Sequence, residues 1–308
     1  MRLSPYLYIA PFFVVFAIVG LFPLLYTGYI SVLKWDSIRQ SGTFVGFDNY
    51  AFVFGDIHFW HALGNTFTIF LLSSVPQLIC ALIIAALLDQ NLKGKTFWRM
   101  AVLVPYVLMP VAVGIIFSHL YADQTGVINH VLTGLGLPAV PWHTNSLAAQ
   151  VAIATMVNFR WTGYNTLILL AGMQAIPREL YESASIDGAK RIRQFFSITI
   201  PQLRPTLIFV IITSTIGGLQ IFDEAQMYDP GSNQMGGSND QFLTLTGYLF
   251  NLGWRQQGHI SRAAAVGWVL FLIIVILAIV NYLVSSRIAS NEARLPRAAR
   301  PGRKGMNA

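Results

Sequence analysis

Six apolar stretches alternate with polar segments along the chain, at about 6–32, 66–88, 101–121, 147–171, 207–227 and 263–286. Each approaches or exceeds the ~20 residues an α-helix needs to cross the hydrocarbon core of a bilayer. The pattern predicts an all-α, polytopic membrane protein with six transmembrane helices. The first stretch is too long for a cleavable leader and lacks a convincing small-residue cleavage site, so it is read as a retained span. The intervening segments are of two kinds. Residues 33–65, 122–146 and 228–262 are rich in Gly, Pro, Asn and aromatic side chains, whereas 89–100 and 178–205 are basic.

Composition agrees with this division. Of 308 residues, 55% are hydrophobic and 11% charged, against roughly 25% charged in soluble domains. The net charge of +7 would suggest a nucleic-acid partner in a soluble protein, but here the bases lie in short segments beside apolar spans. Fifteen lysines and arginines fall on segments that share a side with the N-terminus and four on the opposite side. Positive charge stays on the cytoplasmic face, so both termini are expected inside a bacterial or archaeal cytoplasmic membrane. Residues 1–286 form the membrane domain. The basic tail 287–308, poor in apolar residues, is expected to be disordered and held near anionic lipid. Cys80, the one cysteine, excludes an intrachain disulfide and is expected as a buried small hydrophobe.

Two apolar stretches carry polar residues, which are costly in a membrane and point to function. In NFRWTGYN (158–165), Asn158, Arg160, Trp161, Tyr164 and Asn165 fall within a helical arc of roughly 160°. Arg160 facing lipid would cost about 2.5–3.5 kcal/mol, so it is expected to face a cavity or an acidic partner. The alternative is a helix–helix interface with Arg160 paired and Trp161 packed. In the fifth stretch, Gly217, Gly218, Gln220, Asp223 and Glu224 interrupt the apolar run. The two acids can pair with Arg160 or Arg262, line a gate, or mark the membrane boundary.

The basic segment contains ESASIDGAKRIRQFF (182–196). It reads as two short helices around Gly188, which permits a turn that side chains resist. Leu180, Tyr181 and Ala184 share one face; Ile192, Phe195 and Phe196 form a second apolar patch. Pro177 precedes the pair, and Pro201 and Pro205 follow it. An apolar patch on the cytoplasmic side needs a cover, either the membrane surface or a partner.

The order Glu182-Ser183-Ala184, Asp187-Gly188-Ala189 and Ile198-Thr199-Ile200-Pro201 resembles the coupling loop of ABC importer permeases. Ser183 stands where the family has Ala, and Ile200 where it has Leu. FVGFDNYAFVF (44–54), LVPYVLMP (103–110), LAGMQAIPRELYESASIDGA (170–189) and the pattern over 247–271 are similar to the carbohydrate-uptake branch. The resemblance implies a non-catalytic subunit supplying half of a sugar pathway. It implies that residues 178–205 dock on a cytoplasmic ATPase, with Glu182, Ser183, Ala184, Asp187, Gly188, Ala189, Ile198 and Pro201 carrying the contact. The implied partners are a second, different permease, two ATPase subunits and an extracytoplasmic solute-binding protein. This chain would hold no cofactor; ATP and Mg would bind the ATPase. On this reading Trp161 and Tyr164 offer aromatic faces to sugar C–H groups. Asn158, Asn165 and Arg160 offer hydrogen bonds, and Gln220 and Asp223 extend the path. A disaccharide or oligosaccharide is expected; cellobiose, maltose, trehalose and, because Arg160 suits phosphate, glycerol-3-phosphate remain open.

Other classes fit poorly. LKGKT (92–96) is like a phosphate-binding loop, but Asp89 occupies the place of its first glycine and an apolar helix precedes it. There is no HExxH or GxSxG motif. An ion-coupled secondary transporter would show internal repeats and acids near mid-membrane, and the chain shows no inverted repeat.

Overall fold

The computed structural model describes residues 4–36, 39, 41–229, 236–237, 239–255 and 259–293. It is almost entirely helical, with one antiparallel hairpin, Leu33–Asp36 with Ser41–Phe44, after the first helical run. Two long helices, Ile57–Leu88 and Ser146–Gln174, form the spine. They run in the same direction. Asn65 accepts from Gln150 near their starts, and Ala81 and Ala85 share a core with Leu169 and Met173 near their ends. The chain between them must therefore travel back.

That return is made by Lys95–Val107 and Pro110–Leu120, which are bent by 86°. The single span expected over 101–121 is thus two helices. Leu108 and Met109 are extended, because the residue before a proline is pushed out of the helical region, and Pro110 then opens the second helix. The fifth stretch is also divided. Arg191–Gln202 and Arg204–Leu219 meet at 70°, and the expected run to 227 stops at Leu219. Gln220–Phe222 break it before a short helix, Asp223–Tyr228.

Two π-helical segments, Ala17–Leu21 and Phe195–Thr199, precede Pro23 and Pro201. Each contains the carbonyl, of Val19 or Ser197, that the proline cannot satisfy for want of an N–H. Among the described residues, three helices are by length and composition fit to cross a membrane: Tyr6–Ser31, Ile57–Leu88 and Ile260–Val284. Counting each bent pair as one span raises this to five. Ser146–Gln174 is 29 residues long, enough to span, but its polar residues keep it out of this count.

Close crossings rest on glycines. A Cβ on Gly163 would strike the Val102 carbonyl, and one on Gly172 would meet Leu203 and Thr206 at 2.7 Å. Small residues let helices approach in this way where lipid supplies no hydrophobic drive. Cys80 is exposed on the outer face of its helix rather than buried; a small apolar thiol suits that face equally well. The tail expected from 287 begins inside helix Ile260–Ala293, and 294–308 lie outside the described residues.

Candidate functional site

Two features stand out, and they lie at different depths. The first is a finger at one end of the bundle. Helix Arg178–Ile186 starts after Pro177 and ends at Asp187. Gly188 has φ +77°. Its N–H bonds the Ser185 carbonyl, and the Ala189 N–H reaches back to Ala184 at 2.9 Å. These paired bonds form a Schellman stop, which requires a left-handed residue at the position of Gly188. The chain reverses and enters Arg191–Gln194 and Phe195–Thr199.

The two arms are cross-linked by polar groups to which the sequence reading gave no such role. Gln194 Nε2 donates to Ser185 Oγ and the Ala189 carbonyl, each at 2.9 Å, and Tyr181 and Thr199 hydroxyls meet at 2.9 Å. Glu182, Ser183 and Gly188 are exposed; Ala184, Ala189, Ile198 and Pro201 are half-buried. Neither the Glu182 nor the Asp187 carboxylate makes an ion pair among the described residues. The apolar side chains Ile186, Ile192 and Phe196 are 88%, 75% and 66% exposed. Nothing among the described residues covers them.

The second feature is a cavity of about 220 Å³ between Ser146–Gln174, Arg204–Leu219 and the break at 220–222. Arg160, Trp161, Tyr164, Asn165, Gln220 and Asp223 line it, joined by Glu224, Ser214 and Gln77. Asn158 does not; its Oδ1 is buried without a hydrogen-bond partner among the described residues. Arg160 is only 8% exposed. Its Nη1 bonds Glu224 Oε1 at 2.5 Å, the first of the pairings open from the sequence. The break at 220–222 makes this possible, by turning Asp223–Tyr228 back across helix Ser146–Gln174. Gly114 seats that short helix by admitting Met227 against its backbone. Arg160 also lies 6.0 Å from the Trp161 ring. Asn165 donates to Ser214 at 3.1 Å.

Trp161 and Tyr164 meet a third ring. Tyr106, on the bent pair, stacks on Tyr164 at 4.8 Å and lies edge-on to Trp161 at 5.3 Å. Tyr106 belongs to LVPYVLMP, so the motif gave a signal but no role.

Beyond the cavity, away from the finger, the segment 240–245 is stitched between the spine helices. Asn65 Nδ2 donates to the Leu243 carbonyl at 3.1 Å and Gln150 Nε2 to the Gln241 carbonyl at 2.9 Å. His58 and His61 share the Asp240 carboxylate. Part of the Gly- and Asn-rich segment expected over 228–262, residues 230–235, 238 and 256–258, lies outside the described residues.

A helical membrane chain with a polar cavity at broken helices and an uncovered apolar finger is built as a transport component that works with partners. Residues 51–290 match the binding-protein-dependent transport system inner membrane component family, and the chain belongs to it. Among curated relatives, the lactose transport system permease protein LacF of Rhizobium radiobacter is 36% identical over 90% of this chain and 92% of its own. The arabinooligosaccharides transport system permease protein AraP of Halalkalibacterium halodurans is 33% identical over 90% of this chain and 86% of its own. Among solved structures, a bacterial ABC transporter involved in import of the acidic polysaccharide alginate has a subunit that superposes with TM-score 0.75 at 21% identity, over 92% of this chain and 96% of that one. The chain is accordingly a non-catalytic, multi-pass permease component of the inner membrane.

Proposed function

We propose that the chain forms half of the membrane pathway of an ATP-driven, binding-protein-dependent importer of disaccharides or oligosaccharides. The observation that carries this is the finger. The Glu182–Pro201 motif folds as a self-bonded helical reversal at one end of the bundle, with Ile186, Ile192 and Phe196 uncovered. Residues 178–205 dock there on a cytoplasmic ATPase, which binds ATP and Mg. A second, different permease completes the passage, and an extracytoplasmic solute-binding protein delivers the sugar. The cavity around Arg160, Trp161 and Tyr164 lies on the passage.

Six crossings follow if Ser146–Gln174 is counted with the three long apolar helices and the two bent pairs. The parallel spine helices support this count, since one crossing must separate them. With alternating crossings and the positive-inside rule, both termini and the finger face the cytoplasm, together with the basic tail 287–308. The relatives' names include a neutral disaccharide, neutral oligosaccharides and an acidic polysaccharide, so they support a sugar without choosing its charge.

The test is co-purification. Detergent-solubilised chain expressed with its neighbouring genes is expected to retain an ATPase and a second permease. Gly188→Pro, which cannot adopt φ +77°, is expected to lose the ATPase while keeping the second permease. Retention of the ATPase by this variant would remove the finger's assigned role.

A further inference from the structure

We infer that the cavity admits uncharged, polyhydroxylated substrates and turns away anionic sugars. This rests on reading the cavity as part of the sugar passage. Among the described residues, three acidic or basic side chains line it: Arg160, Asp223 and Glu224. Arg160 and Glu224 are both buried and bonded to each other, so the one cation is neutralised before any ligand arrives. Asp223 is exposed and makes no ion pair among the described residues. One cation against two carboxylates leaves the lining with a single negative charge.

An incoming carboxylate, sulfonate or phosphate would meet that charge at short range. The positive charge it would draw from Arg160 is already shared with Glu224, and taking it would weaken the pairing of a buried carboxylate. A hydroxyl group needs no such exchange. Its oxygen can accept from the side-chain amide of Gln220, which lines the cavity and is exposed. Its hydrogen can be donated to Asp223. The rings of Trp161 and Tyr164 then serve the C–H faces. Arg160 taken alone points to phosphate; Arg160 locked to Glu224 points the other way. Discrimination here comes from the repulsive element as much as from the attractive ones.

The experiment measures equilibrium binding to the purified membrane complex with the solute-binding protein left out, so that selection upstream does not enter. The probes are lactose, maltose, cellobiose and trehalose, each paired with its analogue carrying one hydroxymethyl oxidised to a carboxylate. The wild-type complex is expected to bind the best neutral sugar at least about tenfold more tightly than its acidic analogue. Asp223→Asn is expected to narrow the gap, and Glu224→Gln, which frees Arg160, to narrow it further. Should Glu224→Gln fail to reach the membrane, Asp223→Asn at an exposed position carries the test.

Equal or tighter binding of the acidic analogue by the wild type would overturn the inference. So would a gap unchanged in the variants, or uptake of neutral sugar with no binding to the complex; these would move selection to the binding protein and leave the transport reading intact. Failure of the complete system to take up any sugar, neutral or acidic, would instead sink the transport reading itself.

Discussion

The finger is held by bonds between neighbours in sequence, and the cavity by bonds between strangers. In the finger, Tyr181 meets Thr199 18 positions away and Gln194 meets Ser185 9 positions away; one longer bond, from Arg191 to Gln90, ties it to the spine. Around the cavity, Arg160 and Glu224 are 64 positions apart and Asn165 and Ser214 49. The finger can therefore keep its shape while leaving apolar side chains uncovered. The cavity exists only when the whole bundle is assembled. A change in the finger should act on association and a change in the cavity on folding.

The sharpest way to break that contrast is Glu224→Leu. It leaves Arg160 buried and unpaired, at an expected cost of about 3–5 kcal/mol, read as a lowered thermal midpoint of the detergent-purified chain. Adding Arg160→Met should restore most of the loss, because a removed pair costs less than a widowed charge. Unchanged stability in the single variant would show that the cavity does not depend on its long-range bond. Next comes Gly163→Leu, whose side chain would collide with Val102. Overpacking of this kind costs roughly 1–3 kcal/mol, and the same melting measurement reads it.

In the finger the effects should be smaller and local. Gly188→Ala puts a Cβ at φ +77°, at about 1–2 kcal/mol. Hydrogen exchange should speed up at amides 185–189 and stay unchanged over 150–170, with ATPase retention reduced. Exchange that accelerates in both regions would blur the distinction. Tyr181→Phe removes one hydrogen bond, worth about 0.5–1.5 kcal/mol, and should loosen amides 195–203 alone.

The same division explains what could be read from the chain beforehand. Gly188, with Asp187 before it and prolines on either side, announces a helical reversal within a few residues, and the structure has it there. Arg160 announced only that some partner must exist. Choosing Glu224 over Asp223 required the break at 220–222, which an apolar count over 207–227 smooths away. The bend at Leu108–Met109 was hidden in the same manner: the run through 101–117 is almost wholly apolar, and of its two prolines Pro105 stays inside a helix while Pro110 marks the corner. Gln194 and Thr199, which brace the finger, look like ordinary polar residues until the two arms are folded together.

Gly172 has a mechanical consequence. It lets Leu203 and Thr206 bear directly on helix Ser146–Gln174, at the joint where the finger meets Arg204–Leu219. That contact would act as a fulcrum for any tilt of the helix. The 16-residue arm beyond it is ~24 Å long at the rise of an α-helix. Pivoting it by about 10° at Leu203 would swing Leu219 through ~4 Å, for an arm of that length. The chain leaving Leu219 leads within five residues to Glu224. A displacement of the finger would therefore pass through this joint and the turn at 220–222 before it reached the carboxylate that holds Arg160.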